Sequence, residues 1–236
     1  MVTKSKAFIM NRLTVTCIAA ALVWASGAHV VKAQCPASQD ARVSVEVTAA
    51  QVETAFDTSL PELERLARAA GREAHLPLMA VYSSSVLFVA DIESRVEQTQ
   101  ARRSCAVAQS VRVRIAIGQR TIHAARELRD KPCLRTAAID HAATHARHQE
   151  ERLPAAREII AASLKASLRA PAPDADSAIE AERALAQKIN ARIDAELAGI
   201  DADKTETNRV LDSAESLARL KAACPNERAG VGDDRT

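Results

Sequence analysis

The 236-residue chain has very few aromatic side chains: one Trp, one Tyr and three Phe. It therefore lacks the stacking platform on which single-stranded nucleic acids are held. Its formal charge of +2 gives no phosphate-neutralising surface either, so nucleic-acid binding is not expected. Six glycines are spread over the whole length, and none forms a phosphate-cradling loop. No uninterrupted apolar run approaches the roughly 18 residues a membrane-spanning helix needs, which excludes a multi-span membrane protein. Ala, Val, Leu and Ile supply most of the apolar content. That composition predicts a core of small and branched side chains.

The N-terminal segment reads as an export signal. Lys4, Lys6 and Arg12 precede the apolar stretch 13–25, which has about the length of a signal-peptide core. Val31 and Ala33 place small residues at −3 and −1 of a cleavage point after Ala33, with an uncleaved N-terminal anchor as the alternative. Residues 1–33 contain four of the 32 basic residues and no acid. The mature chain then carries 28 Lys+Arg against 30 Asp+Glu, a formal charge of −2, and the basic pI belongs partly to the signal. A periplasmic or secreted location follows.

Cysteine usage agrees. Cys35, Cys105, Cys133 and Cys224 remain after cleavage, and four thiols in an oxidising compartment predict two disulfides with three possible connectivities. Cys105–Cys133 would close a local loop and Cys35–Cys224 would tie the chain ends. A zinc–thiolate site is the competing reading, but it lacks any CxxC pair.

The pattern predicts an α+β protein: a small mixed or antiparallel sheet with helices in the N-terminal half, then a region of long helices. Val43, Val45 and Val47 alternate as a strand. Ser59-Leu60-Pro61-Glu62 reads as a capping box opening a helix with Leu63, Leu66 and Ala70 on one face, stopping at Gly71. Residues 78–90 look extended, as two strands or one bent strand. Val107, Val111, Val113, Ile115 and Ile117 mark another strand, Gly118-Gln119 a turn, and 120–127 its hairpin partner. Helical sequence runs from Thr136 to Arg169, with Pro154 either kinking one helix or starting a second. By this reading residues 34–169 form an α+β domain, 170–176 a linker, 177–224 a helical hairpin region and 225–236 a disordered tail. Ile179, Ala186, Ile189, Ile193, Leu197 and Ile200 form a narrow amphipathic seam. A further helical stretch carries Val210, Leu211, Leu217 and Leu220.

The histidines carry the chemical signal. On a helix His141 and His145 stand one turn apart, roughly 6 Å along the axis, and can converge on one ion. His148 lies about 10.5 Å from His141 along the axis, too far to share a straight helix's site. A third ligand must come from another segment, with His123 or a C-terminal Asp or Glu as candidates. In HExxH zinc peptidases a Glu after the first His serves as general base. Here that position is Ala142, whose methyl group can neither accept a proton nor orient water. The bland alternative is a set of surface histidines on an Ala-rich helix. Ser83, Ser84 and Ser85 lack a GxSxG elbow and read as a strand edge or turn.

Cys105-Ala-Val, Val111-Arg-Val-Arg-Ile, Ile122-His-Ala-Ala-Arg-Glu-Leu, Cys133 and Asp140-His141 through His145 together resemble a bacterial secreted family of predicted zinc-dependent proteases. Ile193 to Asp201 resembles the helical region that follows there. The resemblance covers roughly residues 43–222. It implies an exported α+β protein with zinc on His141 and His145, and the HAATH motif departs from the family's HExxH at Ala142. The expectation is an exported protein without peptidase activity that keeps a metal at His141 and His145 and binds an envelope protein or peptide. The alternative is a metal-free periplasmic helical protein that self-associates or docks through its C-terminal helices.

Overall fold

A computed structural model describes residues 35–69 and 78–227. Residues 1–34, which include the expected export signal and His29, and Ala70, Gly71, His75 and residues 228–236 lie outside the described residues, as do the side chains of Leu217 and Leu220.

The elements are β1 (Arg42–Ala49), β2 (Glu53–Thr58), α1 (Leu60–Ala69), β3 (Ala80–Gln98), β4 (Ser104–Ala125), a short 3₁₀ turn (Arg126–Leu128), α2 (Pro132–Leu168), α3 (Ala178–Leu211) and α4 (Ala214–Ala222). The fold is α+β. β4 organises it: β3 runs antiparallel along one side, while β1 and then β2 run parallel along the other. Val111, Val113, Ile115 and Ile117 on β4 are buried towards the helices, whereas Arg112, Arg114 and Ala116 are exposed on the far face. This is the period-two alternation of a half-covered sheet.

The expected turn at Gly118-Gln119 is not a turn. The strand continues to Ala125, and its hairpin partner is β3, reached through a turn at 99–103. Gln119 takes a left-handed φ of 47°, and the β3–β4 register jumps from Ser83↔Thr121 to Ser85↔Gly118. One extra residue on β4 is thus accommodated as a bulge, which bends a strand without ending it. Of residues 78–90, those from Ala80 onward form part of a single strand, and β2, which the alternation does not announce, occupies 53–58.

The long strand also decides the disulfides. Cys105 and Cys133 sit at opposite ends of a segment whose extended contour is on the order of 65 Å, so the local pairing cannot form. The bonds are Cys35–Cys105 and Cys133–Cys224. The first ties the segment before β1 to the start of β4, and the second ties the start of α2 to the end of α4. Neither Cys105–Cys133 nor Cys35–Cys224 is made. With sequence separations of 70 and 91, the loop-entropy model assigns each bond roughly 4–5 kcal/mol.

The helices differ in detail from the sequence pattern. In α1 the buried residues are Leu60, Leu63 and Ala67, and Leu66 is exposed. Its first amide, Leu60 N–H, points at the Glu127 carboxylate, while Glu62 pairs with Arg65 instead of closing a capping box. α2 starts earlier than Thr136 because Pro132 opens it and Glu227 accepts from the Cys133 and Leu134 amides. Glu227, within the stretch 225–236 read as a tail, thus caps the start of α2. Pro154 lies inside one continuous helix. In α3, Ser177 caps the Glu180 amide.

The seam of α3 is spent on the fold. Ala181, Leu185, Ile189 and Ile193 share one core with Ile160, Leu164 and Leu168 of α2 and with Val111, Val113 and Ile115 of β4. Ile179 and Val210 stay exposed. The stretch 170–176 is strapped down: Ala175 and Ser104 exchange both backbone hydrogen bonds, and Arg103 binds Asp174 and Asp176.

Candidate metal centre

On α2, the residues facing the sheet are Ala138, Ala142 and Ala146, small side chains that let the helix lie close to Tyr82 and Ile122. His141 and His145 point sideways from the same stretch, towards the C-terminal end of α3. There Asn208 and Asp212, also four residues apart, present their side chains on one face.

The two helices meet at one carboxylate oxygen. Asp212 Oδ1 lies 3.0 Å from His141 Nε2 and 2.9 Å from His145 Nε2. On its other edge, His145 Nδ1 is 2.8 Å from Asn208 Oδ1. The imidazole rings stand edge-on at 5.1 Å, with an interplanar angle of 83°. His145 is buried, while His141 and Asp212 are partly open to solvent. One ligand atom from each of His141, His145 and Asp212 lies within 4.8 Å of the others.

The donor set suits a first-row divalent ion. Zinc bonds of 2.0–2.2 Å in tetrahedral geometry would hold donors about 3.3 Å apart. The observed separations from Oδ1 are shorter by a few tenths of an ångström, and all three donor atoms lie within 4.8 Å of one another. With Nε2 given to the metal, Nδ1–H of His145 would donate to Asn208 Oδ1, the outer contact that fixes tautomer and ring orientation in metal sites. Asp212 also stands at the C-cap of α3, where the unpaired carbonyls of a helix end favour a cation. Three protein ligands would leave a coordination position for water.

His123, the other ligand candidate, is elsewhere: its Nε2 is 3.1 Å from Ser83 Oγ on the β3–β4 ladder. Its Nδ1 is buried without a partner among the described residues, so no carboxylate completes a Ser–His–acid arrangement. His148 pairs with Glu151 at 3.4 Å. Among the C-terminal acids expected as candidates, it is Asp212 that joins the two histidines, and nothing local singles it out. It lies some seventy residues from the histidines, and only the antiparallel return of α3 delivers it.

Ala142 is 1 % exposed and packs with Tyr82, Ile122 and Ala146. The position that carries the base in HExxH enzymes here faces the sheet. Alongside lies a second polar cluster. Arg120, which follows the bulge, is buried and donates to Tyr82 Oη (2.9 Å), Ala50 O (2.7 Å) and Glu150 Oε1 (2.6 Å). Tyr82 in turn donates to Gln149, and Gln149 donates to Ser84. Burial works against the Arg120 charge, but its bonds to Tyr82 and Glu150 outweigh that and hold its pKa above the ordinary value.

No family model, curated protein or solved structure matches this chain.

Proposed function

We propose that this is an exported metal-binding protein that holds a divalent transition ion, zinc in the first instance, on His141, His145 and Asp212. The observation that carries the reading is the convergence of both imidazole Nε2 atoms on Asp212 Oδ1 with Asn208 behind His145. Two disulfides, and the finding that no helix among the described residues is long and apolar enough to cross a membrane, are consistent with a secreted or periplasmic protein. The cationic N-terminus followed by the apolar stretch 13–25 supports a signal peptide cleaved near Ala33.

The resemblance to predicted zinc-dependent proteases remains a proposal about ancestry. Under it, the chain keeps a metal-binding scaffold without HExxH hydrolysis, because Ala142 supplies no base and its surroundings leave no room for one. Binding of an envelope peptide or protein beside the histidine helix is the corresponding role. Self-association through the C-terminal helices has less to work with, since Ile189 and Ile193 of the α3 seam are buried in the protein's own core and Leu197 and Ile200 pack against it.

The test is metal content by elemental mass spectrometry on the chain exported to a periplasm and purified without a histidine tag. Near-stoichiometric zinc is expected in the wild type, with loss in His141→Ala/His145→Ala and in Asp212→Asn. Ferrous iron fits the same two-histidine, one-carboxylate set, and the same measurement reports it. Absence of metal after equilibration with zinc would leave the three residues as a hydrogen-bonded latch between α2 and α3.

A further inference from the structure

Beneath the metal residues a cleft of about 380 Å³ runs between the sheet and the two long helices. Packed interiors rarely contain voids larger than a water molecule, whereas binding pockets begin near 300 Å³. Its floor is Phe88, Ile115 and Ile117, and its walls include Leu153 of α2 with Leu197 and Ile200 of α3. Polar side chains are confined to the α2 and α3 walls and rim, which carry Asp194, Asp201, Lys204 and Arg152, the last paired with Asp203.

Its shape is set by the helices. The lining on α2 extends from His145 to Ile160, about 22 Å along the axis. Pro154 lies between Leu153 and Ala156, where its missing amide breaks the hydrogen-bond ladder at Glu150 and favours a bend. Ala156 and Ala198 face the space with single methyl groups. The result is a long, narrow, apolar slot with polar groups along one margin.

We propose that this slot binds one unbranched acyl chain. A bilayer's hydrocarbon core of about 30 Å holds two chains end to end, so one spans about 15 Å, within the length of the cleft. A flat or branched ligand of the same volume would not use the length, and a polar one would leave its groups unpaired against Phe88, Ile115 and Ile117. The rim carries charges of both signs and selects no single head group, so recognition rests on the chain. The proposal stands apart from the metal reading, because the floor and walls contain no metal residue except His145 at one end.

Isothermal titration of the delipidated mature chain tests it, with tetradecanoate and 1-myristoyl-lysophosphatidylethanolamine as probes below their micelle concentrations and octanoate as a short control. One molecule per chain is expected to bind, with octanoate at least tenfold weaker because it leaves half the slot unfilled. Comparable affinity for the two long probes assigns recognition to the chain. Preference for the lysophospholipid adds the rim charges. Ala156→Phe, which fills the middle of the slot, is expected to weaken tetradecanoate at least tenfold while melting no lower than the wild type. Ala198→Phe, at the mouth, provides the same test should Ala156→Phe fail to fold. Chelator-treated protein should bind the probes unchanged, which separates this result from the fate of the metal site. The proposal is overturned if neither long probe shows saturable binding, or if a folded filled variant binds as the wild type does.

Discussion

Two polar clusters flank the same stretch of α2, and they are built on opposite principles. Around Arg120 each strong donor meets its own acceptor: Tyr82 Oη, the Ala50 carbonyl and Glu150. Around Asp212 two imidazoles share a single carboxylate oxygen. A network with one partner per donor gains nothing by admitting an ion and loses heavily when a member is removed. Three ligand atoms gathered within 4.8 Å of one another could hold a cation among them. The first cluster holds β4 against α2, whereas the second has the donor set that could hold an ion.

The largest expected effect falls on the first cluster. Arg120→Met leaves Tyr82 Oη and the Ala50 and Ala146 carbonyls each short of a partner in a buried setting, and should cost about 3–5 kcal/mol. For a chain of this size that is a fall in Tm on the order of 10 °C, while zinc content in the folded fraction stays at the wild-type level. Loss of zinc in Arg120→Met at temperatures where it is folded would dissolve the distinction between the clusters.

Next comes Ala142→Glu, which would restore the HExxH pattern on paper. Because Ala142 is enclosed by Tyr82, Ile122 and Ala146, the added carboxylate would be buried against apolar side chains. A loss of about 3 kcal/mol is expected, with no gain of peptide hydrolysis on a casein substrate. A stable, proteolytic variant would show that the helix can turn this position towards the metal.

The fold was legible where a single pattern governs a segment. Alternation over 111–117 located the buried face of β4, and the spacing of Ile189 and Ile193 located that of α3. It failed where a local signal was overruled by pairing. Gly118-Gln119 has turn chemistry, yet β3 continues beside it and the extra residue becomes a bulge. Ser59 and Glu62 have capping-box spacing, yet Glu127 from the end of the sheet reaches Leu60 first. His141 and His145 were legible as a pair because both lie on one helix. Asp212, Asn208 and the cysteine pairing depend on which segments return to which, and no residue type or spacing encodes that.

Added metal gives a smaller, reversible shift. An ion that binds only the folded chain stabilises it by about 2.7 kcal/mol at a free concentration one hundred times its dissociation constant. Thermal melts with and without zinc should therefore differ by several degrees in the wild type and coincide in His141→Ala/His145→Ala. The melting loss in Arg120→Met, by contrast, should not follow zinc at all.

Asn208→Ala makes the finest cut. Asn208 touches no metal position; it faces His145 Nδ1 from the other side of the ring. If the pair is a structural hydrogen bond only, its removal costs on the order of 1 kcal/mol and nothing else changes. If His145 is a ligand, the lost acceptor frees the ring to rotate and lowers its basicity, and outer contacts of this kind are worth 10–100-fold in metal affinity. Competition with a chromogenic zinc chelator reads that directly. A tenfold or greater weakening in Asn208→Ala, recovered in Asn208→Asp where an acceptor is restored, marks Asn208 as the residue that aims His145 at the ion. Equal affinity in all three chains would mean that the ring is held by its packing alone.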